Sequence, residues 1–107
     1  MFSESETIAR VSGLSAPRLN TWVERGWVAS VITEKGRIYG EIDVARLQLI
    51  CTMRDEMELD QDLVPTILRL LDQVYSLRRD LRTAWQAIAE EPAEVRARIV
   101  NRVEAAG

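Results

Sequence analysis

The stretch Ser15-Ala16-Pro17-Arg18-Leu19-Asn20-Thr21-Trp22-Val23-Glu24-Arg25-Gly26-Trp27-Val28 decides how the chain is read. Ser15 offers a hydroxyl acceptor to the free N–H groups of a helix start, and Pro17 suits a first turn, where its missing N–H costs nothing. Leu19, Trp22 and Val23 then fall on one face, and Gly26 supplies a left-handed stop. Upstream, Gly13-Leu14-Ser15 forms a tight turn, Ser3 and Glu6 have capping-box spacing, and Ile8 with Val11 gives a short apolar face. Two short helices around a tight turn make a helix-turn-helix. Arg18, Asn20 and Thr21 lie on the polar side of its second helix.

Downstream, Trp27 to Ile32 is rich in strand-favouring residues, Glu34-Lys35-Gly36 makes a turn, and Arg37-Ile38-Tyr39 returns, so a small hairpin wing is expected. Trp22 and Trp27 are expected in the core where helix and wing meet. From about Glu41 the pattern is helical again, with Val44, Leu47, Ile50 and Cys51 on one side and Leu49, Met53 and Met57 widening the band. Cys51 inside this band reads as a buried, unreactive thiol.

An acidic segment follows, in which Asp60 or Asp62 could cap the next helix and Pro65 is tolerable only in its first turn. Leu63, Ile67, Leu70, Val74, Leu77, Leu81, Ala84 and Ile88 then form a heptad seam, with a second stripe of Val64, Leu68, Leu71 and Tyr75 in the first half only. The expectation is a helix docked first on the body and then paired with a second chain through Leu70, Val74, Leu77, Leu81, Trp85 and Ile88. Pro92 ends it, and Val95, Ile99 and Val103 outline a modest terminal helix.

At 107 residues, 47% apolar and 29% charged, the composition is that of a globular domain with an extension. No leader-like or membrane-spanning run is present, so a cytoplasmic location is expected. The single cysteine and the absence of histidine remove His-based acid–base catalysis, the usual Cys/His zinc sites and any Ser-His or Cys-His nucleophile. Neither enzyme activity nor a cofactor is expected. Net charge is −3, unevenly spread: residues 1–50 carry six basic and six acidic groups, whereas residues 51–62 carry one basic and five acidic. A dedicated DNA binder needs a basic reading surface, and this half is neutral.

Taken in order, Val11-Ser12-Gly13-Leu14-Ser15, Leu19 with Trp22, Gly26-Trp27-Val28, Gly36-Arg37-Ile38-Tyr39 and Asp43-Val44-Ala45-Arg46-Leu47 resemble the MerR superfamily from about Ser3 to Ala84. The resemblance implies a mainly α fold: a winged helix-turn-helix body over residues 1–60, then a long dimerisation helix and a short C-terminal helix over 61–107. MerR regulators read DNA with the second helix and the wing. Here the Arg-Tyr-Tyr they carry in that helix is replaced by Asn20-Thr21-Trp22, although Arg37 remains in the wing. In the DNA-binding reading, Arg18, Asn20, Thr21, Arg25, Lys35 and Arg37 would meet phosphates or base edges of a palindromic site.

The tryptophan in the second helix, Leu70-Leu71-Asp72 and Leu77-Arg78-Arg79 also resemble the chaperone-modulator family CbpM, single-domain relatives of MerR. That resemblance implies a homodimeric adaptor that binds the J-domain of a DnaJ-type co-chaperone, the curved-DNA-binding protein A, and inhibits it. As the family's description implies, J-domains present a basic helix. Asp55, Glu56, Glu58, Asp60 and Asp62, with Met57 and Leu59 between them, are then the best complementary surface in this chain.

Overall fold

The computed structural model describes residues 1–107, which divide into two compact units, Met1–Leu68 and Arg69–Gly107. The chain is mainly helical. In the first unit, β1 (Phe2–Ser3) leads into α1 (Glu4–Arg10), followed by α2 (Ala16–Glu24), the hairpin β2 (Val31–Thr33) and β3 (Gly36–Tyr39), and α3 (Glu41–Asp55). A 3-10 turn, Gln61–Leu63, opens into α4 (Val64–Ala89); α5 (Ala93–Ala106) closes the chain.

The helix ends are specified as the sequence indicates. Ser3 Oγ accepts from the Glu6 N–H at 3.2 Å while Glu6 Oε1 accepts from the Ser3 N–H at 3.3 Å, a complete capping box. Ser15 Oγ accepts from the Arg18 N–H at 3.4 Å, and Gly26, at φ +75°, lets the Trp27 N–H turn back to the Trp22 carbonyl at 3.0 Å. Gly13 sits at φ +87° in the turn between α1 and α2, and the Ser12 N–H donates to Gln48 Oε1 at 3.1 Å, tying that turn to α3.

The strand expected from Trp27 begins only at Val31. The reason is where the backbone groups of Trp27 go: its N–H closes α2, and its carbonyl accepts from Arg46 Nε, so neither is free for a ladder. The sheet has three strands in the order β1-β3-β2, both pairs antiparallel, with Phe2 opposite Tyr39 and Val31 opposite Ile38. The two-residue β1 is too short to leave a periodic signal.

One core joins these elements. Val11, Leu14, Leu19, Trp22, Trp27, Val28, Tyr39, Leu47, Ile50, Cys51, Met53, Val64 and Leu68 are buried in it. Thr7 is fully buried among them and its hydroxyl donates to the Ser3 carbonyl at 2.7 Å, so the polar atom is satisfied. Met57, expected to widen the α3 band, is 59% exposed because α3 ends at Asp55.

Val64 and Leu68, the start of the second stripe of α4, are buried in the first unit, whereas Leu63 of the heptad seam is exposed. The stripe, rather than the seam, therefore anchors the helix start. Pro65 occupies its first turn, and neither Asp60 nor Asp62 caps it with a side chain, since the 3-10 turn supplies the preceding carbonyls. In the second unit, Leu70, Val74, Leu77, Leu81 and Trp85 are all exposed, Ile88 is half-buried, and Val95, Ile99 and Val100 of α5 are half-buried. No helix is long and apolar enough to cross a membrane.

Candidate functional site

The polar side of α2 and the turn after α3 form one continuous region of the first unit. Trp22 and Trp27 stack with ring centroids 6.3 Å apart; the Arg18 guanidinium lies over Trp22 at 5.4 Å and that of Arg25 over Trp27 at 5.3 Å. The result is a ladder of cation, ring, ring and cation, which fixes two long side chains that would otherwise sample many rotamers.

Arg18 is further committed. Its Nη2 donates to Asp55 Oδ1 at 2.7 Å and its Nη1 to Asp55 Oδ2 at 2.8 Å and to the Gly13 carbonyl at 3.1 Å. The fork matches the carboxylate edge to edge. The hydrogen bonds to Arg18 hold the Asp55 carboxyl below its ordinary value of 3.8, and the same bonds raise the guanidinium. Asp55 therefore does not stand with the other acidic residues as an open charge, and Arg18 does not stand with the other cations.

Beyond Asp55, α3 ends in a tight return. Glu58 takes φ +54°, the Leu59 N–H donates to the Met53 carbonyl at 2.9 Å, and Arg54 Nη1 donates to the Leu59 carbonyl at 2.7 Å. Glutamate is an unusual choice at positive φ, where glycine or asparagine meets less strain. Glu56, Glu58, Asp60 and Asp62 are exposed on this return and the turn after it, and none forms an ion pair within the chain.

The residues expected to meet DNA are scattered in character. Asn20 and Arg25 are exposed, Thr21 is half-buried, and Lys35 and Arg37 are exposed on the wing, with Arg37 Nη1 donating to Ser30 Oγ at 2.9 Å. Arg25 also meets Gln61, whose carboxamide oxygen, oriented toward it, accepts from both terminal guanidinium nitrogens. Cys51 lies beneath this region, 1% exposed, and burial pushes its thiol up from the ordinary value of 9.0.

Residues 4–60 match the family described as MerR HTH family regulatory protein, more than half of the chain. The chain belongs to the MerR family. No curated protein and no solved structure matches it. The MerR-family match covers α1 through the acidic return, so Arg18, the wing and Asp55 to Asp60 all belong to the helix-turn-helix portion, and α4 and α5 lie beyond it. Sequence reasoning missed the Arg18–Asp55 pairing within the MerR match and the Arg25–Gln61 pairing at its edge, because partners 37 and 36 positions apart leave no local pattern.

Proposed function

We propose that this MerR-family chain is a non-enzymatic, homodimeric adaptor that binds the J-domain of a DnaJ-type co-chaperone and inhibits it, as the CbpM resemblance implies. The observation that carries the reading is the distribution of open charge. Arg18, the cation nearest the start of α2, is neutralised by Asp55, while Glu56, Glu58, Asp60 and Asp62 are left unpaired and exposed. These four carboxylates repel a phosphate backbone and attract a basic protein helix. The strained backbone at Glu58 supports a role for that side chain, since glycine would make the same turn more easily.

The homodimer rests on α4, whose exposed Leu70, Val74, Leu77 and Leu81 recur at heptad spacing, with exposed Trp85 beside the seam. A cytoplasmic location accords with a co-chaperone partner.

Isothermal titration of the purified protein with an isolated J-domain, and separately with duplex DNA, at physiological salt tests the reading. Saturable binding of the J-domain with only weak, salt-sensitive binding of DNA is expected. Tight, sequence-selective capture of a palindromic duplex with no J-domain binding would establish the DNA-binding regulator instead.

A further inference from the structure

Pro17, Arg18, Thr21, Trp22, Arg25, Arg54 and Gln61 line an open cleft of about 250 Å³ between α2 and the end of α3. Three guanidinium groups face it; Asp55 pairs directly with that of Arg18 alone, while its charge also acts on Arg54 without a direct contact. Arg25 meets the neutral Gln61 carboxamide and Arg54 the neutral Leu59 carbonyl, so neither positive charge is balanced by an ion pair. Arg25 is also held over the Trp27 ring, which orients its planar fork before any ligand arrives. The neighbouring chain differs in sign: half-buried Gln61 lies between Asp60 and Asp62 in sequence, Glu56 and Glu58 precede them, and these four carboxylates are exposed.

The geometry points to this cleft as the seat of a single carboxylate side chain of a protein partner, one flanked by lysine or arginine residues on the partner's own surface. The carboxylate meets Arg25 and Arg54, and its basic neighbours meet Glu56, Glu58, Asp60 and Asp62. A polyphosphate backbone fits worse, because the phosphates on either side of the seated one would come against those carboxylates. The inference builds on the adaptor reading, adding that the partner is recognised by an acidic residue within its basic face.

The test needs no J-domain. Arginine Nε–Hε and tryptophan indole NMR signals of the full chain are followed during titration with the blocked peptide Lys-Lys-Asp-Lys-Lys, its counterpart Lys-Lys-Asn-Lys-Lys, and a short DNA duplex. The aspartate peptide is expected to shift the Arg25, Arg54 and Trp22 signals saturably, and the asparagine peptide to bind at least about tenfold more weakly, the scale of one charge-assisted contact. Arg25→Gln should remove that preference, Arg25→Lys restore part of it, and Glu58→Lys weaken both peptides alike, with backbone amide spectra confirming that each variant is folded.

Equal binding of the two peptides, an unchanged preference in Arg25→Gln, or stronger shifts of the same signals by the duplex at physiological salt would overturn the assignment. A chain that binds a J-domain without preferring the aspartate peptide keeps the adaptor reading and loses this one. The reverse pattern does the opposite.

Discussion

Arg18 and Asp55 form a two-pronged ion pair at 2.7 and 2.8 Å that fastens the first turn of α2 to the last turn of α3. Because the Arg18 hydrogen bonds lower the Asp55 pKa, the pair stabilises the fold above the ordinary value of 3.8, and that stabilisation is lost as pH falls through the depressed folded value. The Glu6 carboxyl, lowered by the hydrogen bond from the Ser3 backbone N–H, loses its contribution in the same acid window. Asp55→Asn should therefore be less stable than the wild type at neutral pH and show a shallower loss on acidification. Chemical denaturation at pH 7 and pH 3 measures both; identical acid dependence in the two proteins would remove the pair's role. The same substitution frees Arg18 and should steepen the salt dependence of non-specific DNA binding.

The turn between α1 and α2 leaves no room for a side chain. At Gly13 φ is +87°, and an added Cβ would meet Asp55 Oδ2 at 2.9 Å, whereas at Gly26, φ +75°, it would meet nothing within 4 Å. Gly26→Ala should cost only the backbone strain, about 1 kcal/mol, and Gly13→Ala that strain plus displacement of the ion pair, about 2 kcal/mol. Urea unfolding of the two variants separates the terms, and equal losses would mean that Asp55 yields freely.

These two cases show which features were legible in the sequence. The caps at Ser3 and Ser15, the stop at Gly26 and the burial of Trp22 and Trp27 follow from spacing within a few residues, so the helix-turn-helix could be read directly. The strand start at Val31 could not, because it is set by Arg46 reaching the Trp27 carbonyl from α3. The acidic run was visible as composition, but that Asp55 belongs to Arg18, and that Arg25 and Arg54 share a cleft, depends on contacts across the fold.

Cys51 offers a probe of opening. It is 1% exposed, and burial raises its thiol pKa, so the thiolate is scarce and shielded at neutral pH. A thiol reagent should modify the native protein only as fast as the core opens, with the rate rising in Gly13→Ala. Immediate stoichiometric labelling of the native protein would contradict the buried placement.

Two leucines of α4 should respond oppositely to truncation. Leu68 is 2% exposed in the core of the first unit, so Leu68→Ala should destabilise that unit by about 2–4 kcal/mol without changing its oligomeric state. Leu77 is 66% exposed on the heptad seam, and Leu77→Glu should convert a homodimer to a monomer by light scattering while leaving helix content intact. A wild-type protein that is monomeric at micromolar concentration would remove the seam's assignment.

The acidic return can be set against the wing by charge alone. Glu56 and Glu58 are exposed and make no ion pair, so reversing both to lysine should leave the fold intact while placing four units of charge change opposite a basic partner. J-domain affinity should fall by at least about tenfold, mostly through slower association at low salt. Arg37 is held by Ser30 on the wing, and Arg37→Ala should change J-domain affinity by less than about twofold. Binding kinetics at two salt concentrations distinguish the sites. If Glu56→Lys with Glu58→Lys and Arg37→Ala weaken binding equally, the partner spans the wing as well, and the acidic return is not the principal contact.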